Sequence, residues 1–268
     1  MSAKHMLCSV ASGLIIAGAV STAQAAWVAP SGGWQLNYEA SSGLTPDVAS
    51  PAWTTTYQTS APGTDNYMGI VTDSESGEQT LELRNTATSG GDIWPWTHLD
   101  SGAGVGTASD KITVDFRFRL VGSQADPKWG IGIRRPSSIS GKYNDYLLNF
   151  STNFVQNGNT FAYQGTGIGE TWHDARLHID VAANTANLYL DGDTVATYSI
   201  TGTQAPGALN QVWFGDGQGN VQGVAEVSYL RITNNELASL VPEPASMGLL
   251  FMGGSSLLLS RRRQRRVV

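Results

Sequence analysis

The chain has 268 residues, a formal net charge of −6 and a single cysteine. Residues 26–240 hold 10 Lys+Arg against 21 Asp+Glu, a net of −11, which repels phosphate backbones and anionic lipid and sets nucleic acid aside as a partner. The cysteine, Cys8, lies in an apolar leader, so the rest of the chain has neither a disulfide framework nor a cysteine-based metal site and must be held by a packed core.

Chain order begins with that leader. Lys4 and His5 form a short basic start, Leu14-Ile15-Ile16-Ala17-Gly18-Ala19-Val20 is apolar, and Ala23-Gln24-Ala25 is a small-x-small cleavage signal. The apolar run is shorter than the roughly 20 residues of a spanning helix, so residues 1–25 read as a signal peptide cut after Ala25. His5-Met6-Leu7 ahead of Cys8 lack the small-residue approach of a lipid-attachment site.

Residues 26–240 read as one all-β domain, because many short strand patterns alternate with turns and no stretch has a long apolar period of 3.6. Gln79–Leu83 is the first strand candidate. Ile112, Val114, Phe116, Phe118 and Leu120 then alternate with Thr113, Asp115, Arg117 and Arg119, which gives a core face and a charged, wet face. Gly130–Ile133, Tyr146–Phe150 and Thr160–Tyr163 are further candidates. Leu177, Ile179 and Val181 alternate with Arg176, His178 and Asp180, a turn follows at Ala183-Asn184-Thr185, and Ala186, Leu188 and Leu190 line the next strand. Asp191-Gly192 predicts a two-residue type I′ hairpin, which needs φ > 0 at both positions, with Ala196, Tyr198 and Ile200 on its far side. Gln211–Phe214 and Val224–Ile232 close the domain.

The chain ends on Val241-Pro242-Glu243-Pro244, an apolar span from Ala245 to Ser260 containing Gly253-Gly254, and Arg261-Arg262-Arg263-Gln264-Arg265-Arg266. Sixteen helical residues reach roughly 24 Å, enough to cross a bilayer when arginines snorkel and the bilayer thins, with the arginines on the cytoplasmic side. This tail, residues 241–268, resembles the PEP-CTERM sorting signal. The resemblance implies recognition by an exosortase, cutting near the Pro-Glu-Pro, export through the Sec and signal peptidase machinery, a transient stay in the inner membrane, and a final place on the surface or in the exopolysaccharide matrix of a Gram-negative bacterium.

A second resemblance covers residues 110–236. Thr171-Trp172-His173-Asp174-Ala175-Arg176-Leu177-His178-Ile179-Asp180, then Leu188-Tyr189-Leu190-Asp191-Gly192, Val212-Trp213-Phe214-Gly215-Asp216-Gly217 and Tyr229-Leu230-Arg231-Ile232-Thr233-Asn234 look like a concanavalin A-like, laminin-G-like jelly roll. It implies an antiparallel β-sandwich. Laminarinase-like glycoside hydrolases of this fold carry Glu-x-Asp-x-x-Glu on one strand, where alternation sets acid and nucleophile on one face. That motif is missing here. Glu78 and Glu82 would stand roughly 13 Å apart along a strand. Asp191 and Asp193 flank a turn, and Asp73 and Glu75 sit in a polar loop; all read as structural or solvated. Gly-x-Ser-x-Gly is absent, and of the histidines beyond the leader, His98, His173 and His178, the last reads as a wet strand residue and His173 with Asp174 as part of a turn.

The expected function is therefore a non-catalytic surface or matrix protein that binds glycan or contributes structurally, with a secreted jelly-roll glycoside hydrolase or lyase as the alternative. Sugar rings stack on aromatic side chains beside polar groups. Trp94-Pro95-Trp96 with Asp92 and His98, Trp129 near Tyr143-Asn144-Asp145-Tyr146, and Trp213 with Asp216 and Asn220 are the candidate ligand contacts. No cofactor is expected. If a cation binds, it is Ca2+ on Asp216 and Asn220, because lectins of this fold use Asp and Asn with backbone carbonyls as hard oxygen ligands.

Overall fold

The computed structural model describes residues 27–50, 52–55, 66–85, 95–98, 110–122, 129–158, 160, 162–207, 209–215 and 223–241. The leader, Trp94, Asp216, Asn220 and the sorting motif Pro242, Glu243, Pro244, Arg261, Arg262 and Arg263 lie outside them, as do the side chains of Trp96 and His98. Among the described residues no helix is long and apolar enough to cross a membrane.

In chain order the strands are β1 (Leu36–Glu39), β2 (Thr54–Thr55), β3 (Asn66–Thr72), β4 (Gln79–Asn85), β5 (Pro95–His98), β6 (Lys111–Leu120), β7 (Trp129–Pro136), β8 (Lys142–Phe150), β9 (Phe154–Asn157), β10 (Ala162–Thr166), β11 (His173–Asp180), β12 (Thr185–Leu190), β13 (Tyr198–Thr201), β14 (Thr203–Pro206), β15 (Gln211–Gly215) and β16 (Gly223–Thr233), with one 3-10 turn at Ala40–Ser42. They form two antiparallel sheets. The first runs β13-β12-β11-β6-β16-β4-β3, with β1 beside β4 on the same edge of β16; the second runs β10-β9-β8-β7-β15-β5-β2, with β14 on β8. This is the all-β sandwich the alternation predicts.

The core lies between the sheets because each strand turns its apolar set inward. Ile112, Val114, Phe116, Phe118 and Leu120 of β6 are fully buried and meet Ile131, Ile133, Leu148, Phe150, Val212 and Phe214 from the other sheet. Trp129 belongs to this core. Its ring stacks on Phe118 at 4.7 Å and lies 5.7 Å from Phe150, which corrects its assignment as a ligand contact: the indole is spent on core packing.

β16 holds the first sheet's register together. Ser228 is an extra residue between the pairs Val227↔Phe118 and Tyr229↔Arg117. Ala225 and Val227 point inward before it, Leu230 and Ile232 after it. The bulge divides the far edge of β16 between β4 and β1.

The outer face of the first sheet is not uniformly wet, as its charged residues imply. Two terminal straps, residues 27–35 and 234–241, lie across it. Val28 N–H donates to the Val241 carbonyl at 3.3 Å, Gln35 N–H to Ile232 O at 2.9 Å, and Ala238 N–H to the Thr113 hydroxyl at 2.9 Å. Under them Thr113, Asp115, Arg176 and His178 are buried, so His178 is corrected from a wet strand residue to a covered one.

The Asp191-Gly192 turn has φ of +55° and +85°, as a type I′ turn requires, and Asp193 N–H donates to Leu190 O at 2.9 Å. The ladder to β13 nevertheless resumes only at Leu188↔Tyr198, so the connection is longer than two residues and Ala196 lies outside the strand. The turn before β12 carries Asn184 at φ +55°.

Candidate functional site

Register places a checkerboard of charge on the outer face of the first sheet. Asp174, Arg117, Tyr229 and Glu39 form one transverse row across β11, β6, β16 and β1; Arg176, Asp115 and Arg231 form the next. Alternation sends all of these side chains outward, and the β16 bulge puts Tyr229 and Arg231 on that face with them.

A trough opens over these rows. A cavity of about 380 Å³ is lined by Glu39, Glu78, Gln79 and Arg117 together with Tyr229 and Arg231. A smaller one of about 100 Å³ shares Tyr229 and Arg231 and continues to Asp115, Asp174, Trp27 and Trp34. The N-terminal strap supplies both tryptophans. Trp27 is buried, its indole 5.2 Å from the Arg176 guanidinium; Trp34 is half-buried. At the other side the half-buried Trp172 lies 5.6 Å from Arg117 and 5.0 Å from Arg119.

Most of the charges in the trough have partners, and Glu78 at its rim stands exposed. Arg176 holds Asp115 through two bonds, Nε to Oδ1 at 2.7 Å and Nη2 to Oδ2 at 2.6 Å, and donates to the Ser239 carbonyl of the C-terminal strap. Arg231 Nε donates to Glu39 Oε1 at 2.7 Å, and its guanidinium sits 4.1 Å from the Tyr229 ring centre. Arg117 lies 3.4 Å from Asp174 Oδ2, while the Tyr229 hydroxyl donates to Asp174 Oδ1 at 3.0 Å. Burial, then the Asp174 carboxylate, pushes the Tyr229 hydroxyl well above its ordinary range, so it stays a hydrogen-bond donor. Burial pushes the Asp115 carboxyl up, with Arg176 pulling it back. The next row extends the network: Arg119 Nη2 binds Asp73 at 2.6 Å and Glu226 at 3.0 Å. This arrangement offers planar donors, acceptors and aromatic edges in fixed positions, which suits recognition of a hydroxylated ligand.

His173 opens β11, where the sequence suggested a turn. Its Nδ1 lies 2.7 Å from Asp191 Oδ2 and its Nε2 2.7 Å from the Ile168 carbonyl. With the Thr171 hydroxyl also 3.2 Å from Nε2, both ring nitrogens are occupied and neither is left for a metal. Asp191 also accepts the Asp174 N–H at 3.1 Å, which gives it the structural role expected of it. Asp73 accepts from the Ser76 hydroxyl at 2.6 Å and from backbone N–H groups of its own turn, structural again. Among the described residues no three His, Cys, Asp or Glu side chains gather as metal ligands.

Trp96, Trp129 and Trp213, singled out by sequence, stand on the other sheet. β15 and β5 pair Trp213 with Trp96 across their backbones, and Thr54 of β2 pairs with Trp96. The Trp213 side chain is 4% exposed and lies flat over Gly132, with the Arg134 guanidinium 6.0 Å from its ring. The structure thus brings Trp96 and Trp213 into register and separates both from Trp129. It does not place Trp94, Asp216 or Asn220. Sequence reading missed Trp27, Trp34, Trp172, Tyr229 and Arg231 as a set. Tyr229 and Arg231 alternate on one strand, which was a usable signal; the approach of Trp34 depends on the strap.

No family model matches the chain, and no curated protein matches it. Solved structures do. A cellulose-induced protein, Cip1, aligns over 76% of this chain and 99% of its own at 12% identity and a TM-score of 0.50. A sialidase aligns over 78% of this chain and 19% of its own at 13% identity and 0.48, and a carbohydrate esterase of the Shiga toxin-encoding bacteriophage phi24B over 76% and 99% at 13% and 0.46. At 12% identity the likeness to Cip1 is one of fold alone.

Proposed function

We propose that this chain is an exported, non-catalytic glycan-binding protein of a bacterial surface or exopolysaccharide matrix, built on a concanavalin A-like, laminin-G-like jelly roll. The observation that carries the reading is the trough itself, where Trp34 and Tyr229 stand beside the guanidinium groups of Arg176 and Arg231. Sugar rings pack their C–H faces on aromatic rings, and their hydroxyl and carboxylate oxygens accept from planar N–H donors. The pairing of Glu39, Asp115 and Asp174 with an arginine or a tyrosine favours binding over proton transfer, because a general acid or base needs a pKa near the working pH and a free path to substrate.

Place in the cell belongs to the same proposal: cleavage after Ala25, export, and sorting of residues 241–268 by an exosortase.

A glycan array followed by calorimetry tests the binding. Trp34→Ala is expected to weaken the best ligand about tenfold, equivalent to about 1.4 kcal/mol. Silence across bacterial and plant polysaccharides would remove the glycan reading. A reducing-sugar assay on the same panel tests the alternative: product release that disappears in Asp174→Asn would make this a polysaccharide-active enzyme.

A further inference from the structure

A third cavity, of about 410 Å³, opens at the end of the sandwich where the two sheets part. Pro136, Ser137 and Ser138, which end β7 and begin its connection to β8, form one wall. Val181 and Ala182 of the β11–β12 turn form the other, with Asp110 just ahead of β6 at the rim. Asn144 of β8 lies at the back, 6% exposed, and its side-chain oxygen has no hydrogen-bond partner.

The orientation of that amide is fixed by a chain of bonds. Asn184 Nδ2 donates to the Gly202 carbonyl at 2.9 Å, which makes Asn184 Oδ1 the acceptor end. The Tyr146 hydroxyl donates to that oxygen at 3.2 Å. Burial pushes this hydroxyl up to about 12, so it keeps its proton, and its lone pair is left to accept Asn144 Nδ2 at 3.5 Å. Asn144 therefore lines the cavity with its amide nitrogen turned to Tyr146 and its oxygen buried without a donor, and a buried acceptor without a donor is costly unless something supplies one.

The lining decides what that is. The Asn144 oxygen and the Asp110 carboxylate are acceptors, and the Ser137 and Ser138 hydroxyls can donate or accept. Among the described residues no lysine or arginine lines the cavity, and Lys111 beside it is held by Asp180 at 2.5 Å. Pro136, Val181 and Ala182 give an apolar surface. The volume falls within the roughly 300–1,000 Å³ of small-molecule sites and far exceeds what a bare ion needs. We propose that this cavity is a second binding site, for a neutral sugar unit whose hydroxyls donate to Asn144 and Asp110 while its C–H face packs on Pro136 and Val181. It is separate from the trough: Asp110 and Arg117 lie seven residues apart along β6, roughly 23 Å. With one site at the trough and one at this pocket, a single molecule could hold two polysaccharide segments. The pocket's own case does not depend on the trough binding anything.

The test is amide-shift mapping of the isotope-labelled protein with cellobiose, maltose and lactose as neutral probes and digalacturonate as the acidic one. The neutral probes are expected to move the amides of Ser138, Ala182 and Asn144, and digalacturonate to leave them still. Ser138→Trp, on the exposed rim, is expected to abolish these shifts without unfolding the protein, and Asn144→Leu to weaken them about tenfold. Trp34→Ala is expected to leave them unchanged, which separates failure of the pocket from failure of the trough. The proposal is overturned if no neutral probe moves these amides up to its solubility limit, if Ser138→Trp keeps the shifts, or if digalacturonate produces them equally.

Discussion

His178 and His173 lie five residues apart on one strand and answer pH in opposite senses. His178 is covered by the C-terminal strap and packs edge-on to Tyr189 at 5.1 Å; burial, then the Arg176 guanidinium, pushes its pKa down to about 4. Unfolded, it titrates at about 6.5, so between these values the unfolded chain binds the extra proton. Stability is expected to fall as pH drops from about 6.5 toward about 4, by about 3 kcal/mol at most. His178→Gln should remove most of that slope, measured as urea midpoints at about pH 7 and about pH 4.5. For His173, burial lowers the pKa but the Asp191 carboxylate and Ile168 carbonyl more than offset it, and the net shift is upward. Its contribution is fully present below about pH 6.5 and is lost as pH rises through the folded value. Asp191→Asn should therefore destabilise the protein more at acid than at alkaline pH.

Among the strands, β7 and β16 carry the sharpest constraints. A Cβ on Gly132 would lie 2.3 Å from the Trp213 ring, whose indole takes the space that a side chain would occupy. Gly132→Ala is expected to cost about 1–3 kcal/mol by overpacking, read from chemical denaturation, whereas Gly32→Ala, with open space around it, should be neutral. Ser228 sets the face on which Tyr229 and Arg231 stand. Deleting it would slip the last five residues of β16 by one and turn Tyr229 and Arg231 into the core. The expected result is loss of folded protein, or folded protein without trough binding, seen by circular dichroism and calorimetry.

For the molecule as a whole, the straps matter most. They bring residues from the two ends of the domain together over a sheet whose Arg176–Asp115 pair would otherwise face water. Trp27 covers that pair and its indole N–H donates to the Asp193 carbonyl at 3.2 Å. Trp27→Ala is expected to lower stability by about 3 kcal/mol, and Val28→Pro, which removes the N–H bonded to Val241, by about 1 kcal/mol, both measured by thermal unfolding.

How much of this was legible in the sequence follows from the range of the interactions. Alternation is local, so Ile112 to Leu120 already declared the β6 core face, and Asp191-Gly192 its turn geometry, because backbone sterics depend on neighbours alone. The opening strands β1, β3 and β5 were not legible, since their short or Gly-containing segments become strands by pairing with β16, β4 and β15. The fate of the polar face was not legible either. Arg176, Asp115 and His178 have the pattern of solvated residues; they are buried because distant terminal segments fold over them, and the sequence marks no partner for that contact. The same holds for Trp129 and Trp34, two indoles alike in composition. One is enclosed by Phe118 and Phe150, and the other is delivered by a strap to the edge of a trough. Residue type and period set which face of each strand is apolar; only the packing of segments far apart in the chain decided which polar face stays open to a ligand.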